Sequence, residues 1–183
     1  MMRVEMMSIH WSGRLLLLCL LLLPVLVGCR QEAAYQVGEP IGDLQLQGLF
    51  GGELNLAQLK GNYVLLNIWA PWCGPCRAEM PSLDRLVTHM ADSRLKVIGL
   101  ALEDRYAAEE FLRKYGVKFP NYFDGDDKLV ELRYSVNAYP QTFLIGPDGI
   151  VRARIIGARE WDSLENLMDL RQMMNQSGSG ERG

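Results

Sequence analysis

The stretch "NYVLLNIWAPWCGPCRAEMPSLDRL", residues 62–86, runs a continuous apolar segment into two cysteines spaced two residues apart, and then into an amphipathic pattern. Residues 62–70 carry the unbroken hydrophobicity of a central strand covered on both faces. From about Cys73 to Met90, the apolar residues Met80, Leu83, Val87 and Met90 recur at helical spacing, with Leu86 beside them. Pro81 removes the bond to the Arg77 carbonyl and predicts a kink in that helix. The pair Cys73 and Cys76 therefore falls where a buried strand hands over to a helix. Chemically, two such cysteines can be a metal clamp, a structural staple or a redox couple.

The other cysteines and histidines weigh on that choice. The chain has 183 residues, four cysteines and two histidines. Cys19 lies inside the N-terminal apolar run and Cys29 at its end, which leaves Cys73 and Cys76 as the free thiols of the folded part. A bridge across two residues closes a very small loop, so its entropic stabilisation is slight. A structural zinc site needs four ligands, yet there is no second C-x-x-C; His10 lies near the N-terminus and His89 on the predicted helix. Copper held by two thiolates remains chemically open.

The N-terminus reads as a targeting segment. Arg3 and Arg14 precede "LLLLCLLLLPVLV", residues 15–27, which is 13 residues long; a membrane-spanning helix needs roughly 20. This fits the apolar region of a secretory signal. It ends in "LVGC", Leu26–Cys29, which resembles the bacterial lipobox. That resemblance implies cleavage before Cys29 and lipidation of its sulfur and amine, with more than one acyl chain giving a stable anchor. The expected organisation is a signal over 1–28, a tether over 29–37, one domain over 38–175 and a disordered tail over 176–183.

A formal charge of −3 and the lack of any Lys/Arg cluster speak against nucleic-acid binding. With 49% hydrophobic and 22% charged residues, the composition is that of a globular domain. Residues 41–56 alternate around Leu44 and Leu46, turn at Gly51-Gly52 and resume at Leu54 and Leu56, a hairpin signal. "LAQLKG" (56–61) reads as one helical turn, "LKVIGLAL" (95–102) as a second buried strand and "RYAAEEFLRKYG" (105–116) as a helix with Gly116 as its cap. A shorter helix is expected over 126–134. "QTFLIG" (141–146) and "IVRARII" (150–156) flank the turn "PDG", and Trp161, Leu164, Met168 and Met174 mark a closing helix. The strand–helix–strand section implies parallel pairing, and the last hairpin adds an antiparallel edge.

This order, with "NIWAPWCGPC", Leu102-Glu103 at a strand end and "AYPQTFLIGPDG", resembles the thioredoxin fold, and more narrowly the exported TlpA/ResA-like thiol–disulfide oxidoreductases. The fold class implied is α/β: a central mixed sheet flanked by helices, with an N-terminal β-hairpin extension. Cys73 is then the attacking sulfur at a helix N-terminus, where unpaired N–H groups and the helix dipole favour a thiolate. Cys76 resolves the mixed disulfide. Gly74 keeps the attacked face open, and Pro75 fixes the helix start. Trp72 covers the site edge. Pro140 is expected to be cis and to face the cysteines, with Tyr139 narrowing the groove in which an extended substrate pairs. Glu103 matches the family's proton-handling glutamate, and Asn67 stands where cytosolic thioredoxins carry a titratable aspartate.

No metal or cofactor is implied. Expected partners are disulfides of exported proteins, with apocytochrome c among the family's substrates, and a membrane thiol-transfer donor of the DsbD or CcdA kind. The Gly-Pro spacer is thioredoxin's own, whose potential is about −270 mV, against about −120 mV for strongly oxidising exported enzymes. This favours a reductase over an oxidase or isomerase, with a copper chaperone as the rival binding module. The expected location is the bacterial envelope, on the extracytoplasmic side.

Overall fold

Every residue from Tyr63 to Trp69 is buried, because this strand has a neighbour on each side and a hydrophobic layer on each face. The computed structural model describes residues 37–42, 44–102, 104–123, 136 and 138–178. All belong to the compact unit Ala34–Gly183. Its strands are β1 (Gln45–Gly48), β2 (Glu53–Asn55), β3 (Tyr63–Trp69), β4 (Leu95–Ala101), β5 (Asn121–Phe123), β6 (Gln141–Ile145) and β7 (Val151–Ile156). Its α-helices are α1 (Gly74–His89), α2 (Arg105–Tyr115) and α3 (Leu164–Gly178), and a 3₁₀ turn spans Leu56–Leu59.

The seven strands form one sheet in the order β2-β1-β5-β4-β3-β6-β7. β3 and β4 are parallel, joined through α1, while β6 runs antiparallel to β3 and β7 closes that edge. This is the thioredoxin-like arrangement implied by the sequence. Alternate residues of β3 enter two cores. Leu65 and Trp69 join Met80, Leu83 and Leu86 of α1, Phe111 and Leu112 of α2 and Leu170 of α3. Val64, Leu66 and Ile68 meet Ile41, Leu44, Leu46 and Leu56 on the opposite face.

Several details differ from the expectation or add to it. β5 has no hydrophobic periodicity in three residues, yet it pairs parallel with β4 and antiparallel with β1, making the N-terminal hairpin part of the main sheet. Val87 is exposed on α1, because Leu83 and Leu86 already fill the space beneath the helix. On α3, Leu164 and Met168 face solvent while Leu167, Leu170, Met173 and Met174 turn inward, since the helix starts only after Trp161 has been buried. That helix runs through Gly178, and residues 179–183 of the expected tail lie outside the described residues. α1 runs without interruption through Pro81. The helix expected over 126–134 lies outside the described residues.

α1 is fixed on two sides. Asp84 accepts from the backbone N–H groups of Lys118 (2.9 Å) and Phe119 (2.8 Å), which ties the loop before β5 to the helix. Ser82 accepts from the Trp161 N–H (3.0 Å), and Arg85 reaches Glu160 (2.6 Å) and Asp162 (2.5 Å) in the loop before α3.

Gly99 in the middle of β4 has a specific cause. A Cβ there would stand 2.0 Å from Asn121 Oδ1, and that oxygen accepts from the Trp69 indole N–H at 2.9 Å. The Asn121 amide also donates to the Phe119 carbonyl (2.9 Å). The missing side chain thus leaves room for a buried amide beneath the last residue of β3. Gly99→Ala should destabilise the fold by about 1–3 kcal/mol, the usual cost of overpacking a core. Thermal unfolding should show a smaller loss for the same change in an Asn121→Ala background, where the clash is gone. Equal losses in both backgrounds would refute this account of Gly99.

Candidate active site at the start of helix α1

The handover from β3 to α1 is built by short-range bonds. The Cys73 N–H donates to the Ala70 carbonyl (3.0 Å), forming the turn, and the Arg77 N–H donates to the Cys73 carbonyl (3.1 Å), starting the helix. Cys73 is the N-cap, in extended conformation, and Pro75 lies in the first turn, where no N–H is required. The Cys73 sulfur accepts from the Cys76 N–H at 3.2 Å, taking the place usually filled by a Ser or Asp oxygen. A donor already aimed at that sulfur, together with the positive end of the helix dipole, favours negative charge on it.

Cys73 and Cys76 are joined in a disulfide, with S–S 2.07 Å and Cα–Cα 5.3 Å. Cys73 is 5% exposed and Cys76 not at all. A Cβ on Gly74 would meet nothing within 4 Å, so the approach beside Cys73 is open. Trp72 is 59% exposed, and its ring meets Tyr139 edge-on, with centroids 5.4 Å apart and planes at 86°. The Tyr139–Pro140 peptide is cis, and the Pro140 carbonyl accepts from the Gly157 N–H (2.9 Å). Tyr139 also packs against the core cluster that holds both cysteines. Cys73, Gly74, Pro75, Cys76, Trp72, Tyr139 and Pro140 thus share one end of the sheet. Glu103 and Cys29 lie outside the described residues.

An acid that the sequence reading passed over sits in this layer. Glu79 is three residues beyond Cys76, on the same face of α1, and only 2% exposed. Its carboxylate accepts from Asn67 Nδ2 (2.8 Å), the Trp161 indole N–H (2.9 Å) and the Arg159 N–H (3.1 Å). Burial pushes its pKa above the ordinary glutamate range, and the three donors pull against that rise. Asn67 also donates to Thr142 Oγ1 (3.0 Å), while its own Oδ1 is buried without a partner. The signal was present in the sequence. Glu79 interrupts a face otherwise made of Cys76, Met80 and Leu83, and Asn67 interrupts the apolar run of β3.

Among the described residues, no group of three His, Cys, Asp or Glu side chains is placed to hold a metal, and no helix is long and apolar enough to cross a membrane.

Residues 37–154 match the AhpC/TSA family. The chain is 35% identical over 134 residues to the thiol-disulfide oxidoreductase ResA of Bacillus cereus, covering 73% of this chain and 77% of that protein. It is 32% identical over 145 residues to the thioredoxin-like protein YneN of Bacillus subtilis, covering 77% and 84%. The crystal structure of a secreted disulfide oxidoreductase of Mycobacterium tuberculosis superposes with a TM-score of 0.58 at 28% identity, over 69% of this chain and 92% of that one. With the disulfide at the helix mouth and the thioredoxin-like sheet beneath it, the chain belongs to the AhpC/TSA family and is a thiol–disulfide oxidoreductase of the ResA type.

Proposed function

We propose that this enzyme is a lipid-anchored reductase of disulfides in exported proteins, in which Cys73 attacks and Cys76 resolves. The observation that carries the reading is the Cys73 sulfur at the N-cap, bonded to the Cys76 N–H beside an open Gly74. The Cys73 thiolate attacks one sulfur of the substrate disulfide. A mixed disulfide forms and the first substrate sulfur leaves as a thiolate. Cys76 then loses its proton and attacks the Cys73 sulfur, which closes the internal bridge and releases the second substrate thiolate. Two electrons pass to the substrate. Trp72, Tyr139 and Pro140 border the groove in which the substrate backbone lies.

Glu79 receives the Cys76 proton. A carboxylate raised by burial lies closer to a thiol in proton affinity than an exposed one, which suits it as a base. Asn67 cannot titrate, so the acid that cytosolic thioredoxins carry on this strand is here supplied from α1. Glu103 serves as the second proton group implied by the family. The signal-like N-terminus, "LVGC" and the secreted relative support an extracytoplasmic site with Cys29 as the lipid attachment. Electrons come from a membrane thiol-transfer protein of the DsbD or CcdA kind, and apocytochrome c is the candidate substrate.

Three outcomes follow from this reading. Cys73→Ser should abolish disulfide reduction while Cys76→Ala accumulates mixed disulfides, and the midpoint potential should lie near thioredoxin's value of about −270 mV. A couple near about −120 mV would reverse the direction. Glu79→Gln addresses the proton. Because the native state holds this proton more tightly than the unfolded chain, the contribution of Glu79 to stability is fully present below the ordinary glutamate range and is lost as pH rises through the elevated native value. Denaturant titrations across that window should show the decline in the wild type and a flatter profile in the variant, with slower Cys76 resolution. Identical pH profiles for stability and resolution would remove Glu79 from the mechanism. Mass spectrometry of the processed protein should find Cys29 at the N-terminus bearing diacylglycerol; an unmodified Cys29 would end the anchor proposal.

A further inference from the structure

Beside the cysteines, on the side away from Glu79, α1 and α2 leave a groove. Its volume is about 520 Å³, and a neighbouring depression of about 330 Å³ reaches Trp72; the two share Arg77, Phe111 and Tyr115. One wall is low, formed by Gly74, Ala78 and Pro81, while Phe111 and Tyr115 form the other. Tyr115 is 60% exposed.

The charges in the groove are unevenly engaged. Asp84 is bonded to the Lys118 and Phe119 N–H groups, and Asp104 caps α2 through the Ala107 N–H (3.0 Å). Glu110 and Lys114 stand one turn apart on the outer rim of the depression. Lys118 lies at the end of the groove far from the cysteines. The Arg77 side chain has no hydrogen bond or ion pair among the described residues, although it lines both hollows. It sits in the first turn of α1, where the helix dipole disfavours a cation. A guanidinium at a position that weakens its own helix, with Asp84 and Asp104 engaged by backbone, is left available for a carboxylate from outside.

We propose that this groove docks an extended segment of the partner polypeptide, and that Arg77 selects partners with an acidic side chain close to the cysteine being exchanged. The inference rests on Cys73 being the attacking sulfur. Arg77 lies four residues along the helix from Cys73, about 6 Å of rise. Two or three residues of extended chain, at about 3.3 Å each, cover that distance. The carboxylate pairs with the guanidinium, and an apolar or aromatic side chain of the same segment rests on Phe111 and Tyr115.

The test uses the full chain, reduced, and two synthetic peptide disulfides that differ only in carrying Glu or Lys three residues from the cysteine. Bis(2-hydroxyethyl) disulfide provides the reference rate. The wild type should prefer the Glu peptide in kcat/KM by about fivefold to tenfold at low salt, and the preference should fade at high salt. Arg77→Glu should invert the preference, and Tyr115→Ala should reduce it for a peptide that also carries an aromatic residue. Equal wild-type rates on the two peptides overturn the proposal. So does an Arg77→Glu variant that lowers all three rates in the same proportion, since Arg77 would then act on the thiol and not on the partner. A concentration-dependent dimer of the wild type in sedimentation that Arg77→Glu abolishes, with no peptide preference, would overturn the proposal and assign the groove to a second copy of the chain. Failure of the wild type to reduce even the small disulfide would instead strike the reading of Cys73.

Discussion

The parallel pairing of β3 with β4 is the constraint on which the rest depends. Two parallel neighbours cannot be joined by a tight turn; the chain must cross the sheet, and α1 is that crossing. The crossing helix has to begin where β3 ends. Its unpaired N–H groups therefore gather at the C-terminal edge of the sheet, beside the end of β4 and the start of β6. A cysteine at the N-cap receives the Cys76 N–H because of where the helix must start. The redox site is thus a consequence of sheet topology, refined by two spacer residues: Gly74, which adds no bulk, and Pro75, which needs no donor.

The same topology makes a buried acid tolerable. Glu79 lies under the helix, where an ionised carboxylate would be costly if left alone. It is met instead by a strand amide, an indole and a loop N–H, three donors from three elements. These bonds, with those of Ser82 and Arg85, lay one face of α1 against the loop Arg159–Asp162. The chain enters that loop through Gly157, whose N–H meets the Pro140 carbonyl. The cysteine helix and the proline segment are therefore linked through the residues that hold the acid. A change in the charge of Glu79 bears on both walls of the groove at once.

Much of this was legible in the sequence, and the exceptions share a cause. β3, α1, α2 with its Gly116 cap, and the β6–β7 hairpin all announce themselves by periodicity or by turn residues, which are local signals. β5 does not, because three residues carry no period; its strand character comes from β4 and β1 on either side. The start and inward face of α3 are hidden for a related reason. Trp161 shares the helix's spacing but is buried by α1 before the helix begins. Where an element is made by its partners, its own residues say little.

Gly99 and Glu79 illustrate the complementary case, in which the anomaly was visible and its meaning was not. A glycine in a central strand and an acid on an apolar helix face both violate local rules. Each is resolved by a residue far along the chain: Asn121 for Gly99, and Trp161 with Arg159 for Glu79. Both resolutions converge on the layer beneath the cysteines, since Asn121 holds Trp69 and Glu79 holds Asn67 on the same strand. β3 is an apolar strand with two polar tethers, one to Glu79 on α1 and one to Asn121 on β5. The floor of the site is held by directional bonds as well as by packing, so the sulfurs above it keep a fixed position relative to the helix N-terminus that activates them.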